Sequence, residues 1–346
     1  MKNKIYINGR FLTQNLGGVQ RFAYEISKNF VDISKKEVVV LIPKSQSILK
    51  CYKYKFVLHE IGFNKGHFWE QFDLVNFLKK NGNPLLINLT NSCPIFYSNQ
   101  ISTIHDLSIY NKKNWHSFLY KLFYKMIIPK MIRCSHKILT VSEFSKKEII
   151  NKFNLLDDDV KVINNAISLS KTGNKNIKSD SYILFVGASS SRKNLFNAIE
   201  AFNKIKDRNV RFKIVGLANR YRRLIENNKK IDVYNQINDN ELSSLYLNAE
   251  LLIFPSFYEG FGIPPIEAMY FGCPVIVSNL EVFKELYQKA AIYIDPHNVD
   301  QMKNSMIEIL DNKSLRKDLI NEGFIQSEKF SWKKSSKSLI DTINKL

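Results

Sequence analysis

Two glutamates, set in a loop and helix rich in glycine and proline, are the side chains here whose type and spacing most clearly imply chemistry. In FPSFYEGFGIPPIEAMYFGCPVIVS (Phe254–Ser278) an apolar run ends at Phe254 and a loop carries Glu259, Gly260, Phe261 and Gly262. Pro264 and Pro265 then open a helix that holds Glu267. Proline suits a first helical turn, where its missing N–H costs nothing. Free amides at such a helix start, with glycines permitting close approach, form an anion site suited to phosphate. Carboxylates beside that site repel phosphate, so their partners are hydroxyls, of a sugar or of a ribose. An acidic pair next to a phosphate cradle describes a nucleotide-sugar pocket. Taken alone, Glu267 reads equally well as an acid favoured by the helix macrodipole, with the glycines merely turning the chain; the whole string favours the pocket.

Ser189-Ser190-Ser191-Arg192-Lys193-Asn194 follows an apolar run and precedes a helical pattern. Two adjacent cations there suit a diphosphate, guanidinium through paired hydrogen bonds and ammonium as a point charge. The alternative is a surface charge pair. Gly17-Gly18-Val19 lies between a strand and a helix, but lacks the GxGxxG pattern of dinucleotide binding and is equally explained as a turn. His105-Asp106 ends the strand Ile101–Ile104. A lone histidine is usually packed or capping, yet this one stands at a strand's carboxyl end, where ligands of parallel sheets bind. His59, His67, His116, His136 and His297 have no partners at ligand spacing and read as structural. Asp157-Asp158-Asp159 contains a DxD pattern that could hold a divalent metal, but it lies far in sequence from the phosphate elements and reads as a solvated turn. No metal is expected.

The spacing Glu259-x7-Glu267 within EGFGIPPIEAM resembles the E-x7-E signature of GT4-type retaining glycosyltransferases of the GT-B fold, as found in bacterial polysaccharide-assembly mannosyl- and glucosyltransferases. The resemblance extends over nearly the whole chain, through the glycine loop, TIHDLS, TVSEFS, VGASSSRKNL and a closing helix. It implies that Glu267 binds the ribose, and that Glu259 with the amides of Gly260, Phe261 and Gly262 binds the donor sugar. Arg192 and Lys193 then belong to the phosphate loop, Gly17 and Gly18 approach the donor phosphate through their backbone, and His105 supports the sugar near its reacting carbon. One departure is Ala188, where many members carry a basic residue. The implied activity is retaining, metal-independent transfer of a hexose-type sugar from a nucleotide-diphosphate sugar to an acceptor hydroxyl, in cell-surface polysaccharide or glycolipid assembly. No covalent nucleophile and no cofactor are expected, the donor being a substrate. Cations on the protein would take a metal's place in stabilising the leaving diphosphate.

Positioning these residues requires parallel sheets. Lys4–Ile7, Val38–Ile42, Leu85–Leu89, Ile101–Ile104 and Lys137–Val141 read as strands, alternating with helices over Val19–Val31, Trp115–Arg133 and Lys146–Phe153. The alternation resumes with Tyr182–Val186, Phe212–Val215, Leu251–Phe254, Val275–Val277 and Ala291–Ile294. Alternating strands and helices imply an α/β fold with two doubly wound, Rossmann-like domains facing a cleft. The boundaries expected are 1–167 for an acceptor-side domain, 168–180 for a polar linker and 181–329 for a nucleotide-sugar domain. A short amphipathic helix over 330–346 is expected to return to the first domain. Tyr234–Glu241 is expected as a loop over the base. Trp115–Arg133 mixes aromatics with lysines and fits either an anionic membrane surface or a core helix with a basic outer face.

The 346 residues suit two domains, and 45% apolar content supplies each with a core. The net charge of +19, from 51 basic against 32 acidic residues, favours polyanionic partners without choosing among them. A basic nucleic-acid-binding protein is thus one rival reading, though no nucleic-acid motif accompanies the charge. A nucleotide-sugar epimerase on the same fold is another, and should lack the glutamate spacing. Four scattered cysteines without CxxC spacing fit a reducing compartment, and neither a signal peptide nor an apolar run of membrane-spanning length is read. The expectation is a cytoplasmic enzyme, peripheral on the inner membrane face, whose partners are a nucleotide-sugar donor and a glycan or lipid-linked acceptor.

Overall fold

The computed structural model describes residues 4–346 except 112, 114, 172–179, 189, 206 and 227. Two compact units emerge, one from the residues up to Asn165 together with Ser331–Leu346, the other from Ala166–Phe330.

The first unit is built on seven parallel strands, β1 (Lys4–Asn8), β2 (Glu37–Pro43), β3 (Leu58–Ile61), β4 (Leu86–Asn88), β5 (Gln100–Thr103), β6 (Lys137–Thr140) and β7 (Val160–Val162). Their order is β3-β2-β1-β4-β5-β6-β7, so the winding reverses between β1 and β4. The centre of the sheet is buried on both faces: in EVVVLIP of β2 every residue after Glu37 is buried, with Ile7 of β1 opposite Val40. That double burial is why these strands are continuous apolar runs rather than alternating ones. The edge strands LHEI (β3) and VKV (β7) carry polar, exposed positions, which is why their pattern does not announce them.

Helices cover this sheet. They are α1 (Gly18–Ile33), α2 (Gly66–Phe68), α3 (Leu74–Lys80), α4 (Phe118–Arg133) and α5 (Glu143–Phe153). Between α2 and α3 runs a π-helical turn, Trp69–Asp73. Ser142 caps α5 by accepting from the Ser145 amide, so α5 opens at Glu143, earlier than the apolar pattern indicates. Likewise α4 begins at Phe118, capped by Ser117.

The second unit has six parallel strands, β8 (Tyr182–Val186), β9 (Arg211–Val215), β10 (Ile231–Tyr234), β11 (Leu251–Phe254), β12 (Val275–Ser278) and β13 (Ala291–Ile294). They run β10-β9-β8-β11-β12-β13, reversing between β8 and β11. The covering helices are α6 (Leu195–Asn203), α7 (Asp239–Asn248), α8 (Ile263–Tyr270), α9 (Glu281–Tyr287), α10 (Val299–Asp311) and α11 (Lys313–Ser327). The stretch expected as one loop over Tyr234–Glu241 instead ends β10 and starts α7, where Asn238 caps the helix from its side chain. The expected linker falls partly on 172–179, outside the described residues; before it, Leu169 is buried and the Lys171 ammonium lies 4.6 Å above the Tyr270 ring.

The last helix, α12 (Trp332–Asn344), belongs to the first unit. It packs on α1, with Trp332 edge-on to Phe22 at 6.1 Å between ring centres and Ser336 donating to the Ile26 carbonyl. Ser335 donates to the Asn164 carbonyl at 2.7 Å. No helix among the described residues is long and apolar enough to cross a membrane.

Truncating a buried tryptophan removes its transfer free energy and leaves a cavity. Trp332→Ala is expected to lower the unfolding free energy by about 3–5 kcal/mol in a urea titration. A loss below about 1 kcal/mol would mean that α12 contributes little to holding the first unit together.

Candidate functional site

In open parallel sheets ligands bind beyond the strands' carboxyl ends, where the winding reverses. In the second unit that point lies between β8 and β11, and the loops leaving these two strands carry Arg192, Lys193 and Glu259. β8 gives way to Gly187, whose φ of +90° belongs to glycine territory. A 3₁₀ turn over Ser191–Lys193 follows, with the Ser190 hydroxyl accepting from the Arg192 amide. Asn194 then adopts a left-handed φ of 60°, as asparagine tolerates. Its buried side chain donates to the carbonyls of Pro255 at 3.1 Å and Pro296 at 2.7 Å, tying this loop to the one after β11. The Phe257 amide donates back to the Arg192 carbonyl at 2.9 Å.

The two loops therefore bring together what 66 residues of sequence separate. Arg192 Nη1 lies 2.8 Å from Glu259 Oε2, and Lys193 Nζ lies 2.6 Å from Glu259 Oε1. Arg192 also donates to the Tyr258 carbonyl, and the Lys193 ammonium sits 4.3 Å from the centre of the Phe254 ring. Burial pushes the Glu259 carboxyl up, but Arg192 and Lys193 outweigh it and hold the group below the usual carboxylate range. Glu259 is therefore ionised at neutral pH, its charge spread against two cations.

Gly262 caps α8 with φ 97°, a conformation that L side chains rarely adopt. A Cβ there would lie 2.5 Å from the Tyr287 hydroxyl and 2.7 Å from the Phe283 ring. Tyr287 donates to the Gly262 carbonyl and pins the loop against α9. Phe261 turns its ring inward, edge-on to Phe330 at 5.5 Å, so only the main chain of this residue is placed to meet a ligand. Glu267 is buried in α8 and accepts from the Tyr246 hydroxyl of α7 at 3.0 Å. Asn194, Tyr246 and Tyr287 were not singled out from the sequence. Each acts through a partner 21 or more residues away, and no local spacing signals that.

The first unit places Gly17, Gly18 and His105. Gly17 is the N-cap of α1 with no side-chain cap, and both glycines are exposed. Its φ of −111° is ordinary extended backbone, so a turn does not account for glycine there. His105 is buried, with Phe22 edge-on at 4.8 Å. Its Nε2 lies 3.1 Å from the Leu89 carbonyl, and its amide donates to Asn91. Burial lowers its pKa, so the ring is neutral at pH 7. A carbonyl can only accept, which places the proton on Nε2 and leaves Nδ1 as an acceptor. Asp106 positions the loop by accepting from the Ser108 amide.

His67, read as structural from the sequence, has an acidic partner that spacing does not reveal. Its Nδ1 lies 3.2 Å from Glu70 Oε2 in the π-helical turn. Glu70 is fully buried beside β1 and β4, accepts from Asn8 at 2.7 Å and from Ser92 at 3.0 Å, and has Arg10 Nε 3.5 Å away. Burial raises its pKa, while Arg10, His67 and Asn8 together bring it below the ordinary value.

Asp157–Asp159 forms a short 3₁₀ turn in the first unit, with Asp157 paired to Lys146 and Asp158 to Lys137. Among the described residues, no group of three or more His, Cys, Asp or Glu side chains is arranged to hold a metal ion.

Comparisons with known proteins bear on the family and fold of the chain. Residues 16–171 match the model of Glycosyltransferase Family 4, and residues 169–326 match that of Glycosyl transferases group 1. An O-antigen chain mannosyltransferase of Salmonella typhimurium, RfbU, is 32% identical over 239 residues, covering 67% of either chain. O-antigen chain mannosyltransferase B of Escherichia coli is 27% identical over 263 residues, covering 70% of this chain and 69% of its own. Among solved structures, HepE of Anabaena in complex with UDP and glucose superposes over all of both chains with a TM-score of 0.77 at 14% identity. With two parallel sheets of seven and six strands and a glutamate pair at the expected spacing, the chain belongs to the GT4-type glycosyltransferases of the GT-B fold.

Proposed function

We propose that this glycosyltransferase moves a hexose-type sugar from a nucleotide-diphosphate sugar onto an acceptor hydroxyl, with retention at the anomeric carbon and without a metal ion. The observation that carries the reading is the charge arrangement in the second unit: Arg192 and Lys193 converge on Glu259 beside the glycine-rich opening of α8. Two cations and a helix start suit a diphosphate, and they supply the positive charge that a metal would otherwise bring to the leaving group. Of the DxD alternative, Asp157 is paired with Lys146 and Asp159 accepts from the Leu156 amide.

In this reading the donor diphosphate shares Arg192 and Lys193 with Glu259, and Glu259 accepts a hydrogen bond from a sugar hydroxyl. Glu267 accepts from the ribose hydroxyls, and the Gly260–Gly262 backbone lines the sugar. Gly17, Gly18 and His105 keep the roles that the family resemblance gives them, phosphate contact for the glycines and sugar contact for His105. The neutral Nδ1 of His105 suits acceptance from a hydroxyl. As the bond from the anomeric carbon to the phosphate oxygen breaks, the acceptor oxygen bonds to that carbon on the same face. The acceptor proton passes to the departing phosphate oxygen, giving glycoside and nucleoside diphosphate. The developing negative charge falls where Arg192 and Lys193 are, so their contact strengthens in the transition state. The named activities of the relatives point to mannose as the sugar and to a growing surface polysaccharide chain as the acceptor.

A thermal-shift panel of UDP, GDP and ADP, with and without magnesium, tests the donor site. One nucleoside diphosphate at about 100 times its Kd is expected to add roughly 2.7 kcal/mol without metal. Lys193→Ala and Glu267→Gln are expected to abolish the shift. If no diphosphate raises the midpoint while duplex DNA does, the reading fails. Glu259→Gln separates binding from transfer: kcat is expected to fall about 100-fold or more, while affinity for the free nucleoside diphosphate holds or rises because both cations lose their competing carboxylate. A parallel loss of diphosphate affinity would place Glu259 in phosphate binding instead. Proton NMR of the early product is expected to show the donor's anomeric configuration, and the opposite configuration would overturn retention.

A further inference from the structure

Cys93 and Cys134 are 41 residues apart in sequence, and the fold brings their sulfurs to 4.0 Å. Cys93 is buried in the loop that leaves β4, whereas Cys134 is half-buried at the C-terminal end of α4. The side-chain amide of Gln100, the first residue of β5, donates to the Cys134 sulfur at 3.1 Å. Asn88 fixes that amide's orientation by donating to its carbonyl oxygen at 2.9 Å. Hydrogen bonds to Cys134, from Cys93 first and then from Gln100 and Ser135, bring its thiol below the ordinary value against the effect of burial. Burial pushes the Cys93 thiol up. Cys134 is thus both the nearer to solvent and the readier to lose its proton, with a protonated thiol beside it. That is the pattern of an attacking cysteine and a resolving one, and two thiols that merely fill a core as small apolar groups need no such difference.

The loop that carries Cys93 also holds His105. Its Leu89 carbonyl meets His105 Nε2 at 3.1 Å, and its Asn91 side chain accepts from the His105 amide at 2.9 Å. Ser92, between Asn91 and Cys93, is tied to Arg10 and Glu70, so the loop transmits a displacement at Cys93 rather than absorbing it.

We propose that Cys93 and Cys134 are a redox-active pair, which a peroxide oxidises to a reversible disulfide that shifts the loop holding His105. The Cys134 thiolate attacks one peroxide oxygen, the O–O bond breaks, and hydroxide leaves with the electron pair, giving a sulfenic acid. The Cys93 sulfur then attacks the Cys134 sulfur. The S–O bond breaks, the Cys93 proton goes to the departing oxygen, and water is released. In sum the two sulfurs are oxidised by two electrons, and one peroxide together with the two thiol protons becomes water. A dithiol reductant returns the electrons and protons by exchange. A disulfide is about 2.05 Å long, so the sulfurs must approach each other by about 2 Å. Hydrogen bonds weaken steeply when stretched or bent, so a part of that movement reaching Leu89 and Asn91 alters the setting of His105. The disulfide stands apart from the donor assignment; only its consequence for transfer rests on the sugar contact proposed for His105.

The experiment treats the full chain with hydrogen peroxide in slight excess, then alkylates and digests it and weighs the cysteine peptides. A link between Cys93 and Cys134 is expected to be about tenfold more abundant than any other cysteine pairing, and dithiothreitol is expected to remove it. Cys134→Ser is expected to lose the link, and Cys93→Ser to leave Cys134 as a sulfenic acid that dimedone traps. Cys51→Ser, which removes an exposed thiol elsewhere in the first unit, is expected to keep the link at the parent's yield. Proton–nitrogen spectra of the imidazole rings, with His105→Gln to assign the signal, are expected to show His105 shifted on oxidation and restored by dithiothreitol. The exposed His297 of the second unit should hold its position. No link, links to Cys51 or Cys273 in equal yield, or oxidation of Cys134 past the sulfenic acid beside a still-reduced Cys93 overturns the proposal. So does a linked protein whose His105 signal is unchanged. None of these readouts uses a nucleotide, so failure here and failure of the diphosphate thermal shift are separate results.

Discussion

A carboxylate withdrawn from water stays ionised only when positive charge or hydrogen-bond donors stand beside it, and Glu259 has Arg192 on one oxygen and Lys193 on the other. Much of the second unit's loop architecture follows from meeting that condition. The two cations are adjacent in sequence, so both reach one carboxylate only if the chain turns sharply before α6. The 3₁₀ turn and the left-handed Asn194 make that turn. Asn194 then fastens the turned loop to Pro255 and Pro296, while the Arg192 carbonyl and guanidinium bond the main chain of Phe257 and Tyr258. Ion pair and backbone stitching thus fix the same two loops against each other. A site preorganised in this way need not be rearranged when charge develops on a leaving group.

The first unit solves a related problem differently. Its sheet also reverses winding once, between β1 and β4, and Glu70 lies buried beside those strands. This glutamate likewise has an arginine and a second basic group near it, Arg10 and His67, but Asn8 and Ser92 also donate to it. With so many donors its lone pairs are largely taken up within the protein. Glu259 relies on its two cations, both of which also suit phosphate. The contrast fits a structural role for Glu70 and a working role for Glu259.

The central strands were legible because burial on both faces leaves them unbroken apolar runs, as in Tyr182–Val186 and Val38–Ile42. The edge strands β3, β7 and β10 were not, since a strand with one free edge and a wet face keeps polar residues such as His59, Lys161 and Asp232. At the candidate site the sequence showed which residue types cluster, because glutamates, glycines and prolines at fixed spacing have few other uses. It did not show the partners. The ion pairs of Glu259, the Tyr246 bond to Glu267 and the Tyr287 clamp on Gly262 all join separate elements through the fold. The exposed apolar face of α4 was half visible: α4 announces itself by its aromatics and lysines, but the segment of Phe68 and Phe72 meets it only through His67 on Phe123.

The return of α12 to α1 has a consequence for how the chain is made. The first unit is assembled from two stretches with the whole of Ala166–Phe330 between them. At roughly 5–20 residues per second, the ribosome takes on the order of 10–30 s to produce that interval. Throughout it, Phe22 and Ile26 of α1 lack the partner that will bury them, while the second unit already has all its strands in hand as its own synthesis ends. The later unit is therefore free to close first and the earlier one last. An interrupted chain ends with a sticky apolar face on α1, a feature by which quality control can tell a fragment from a finished enzyme.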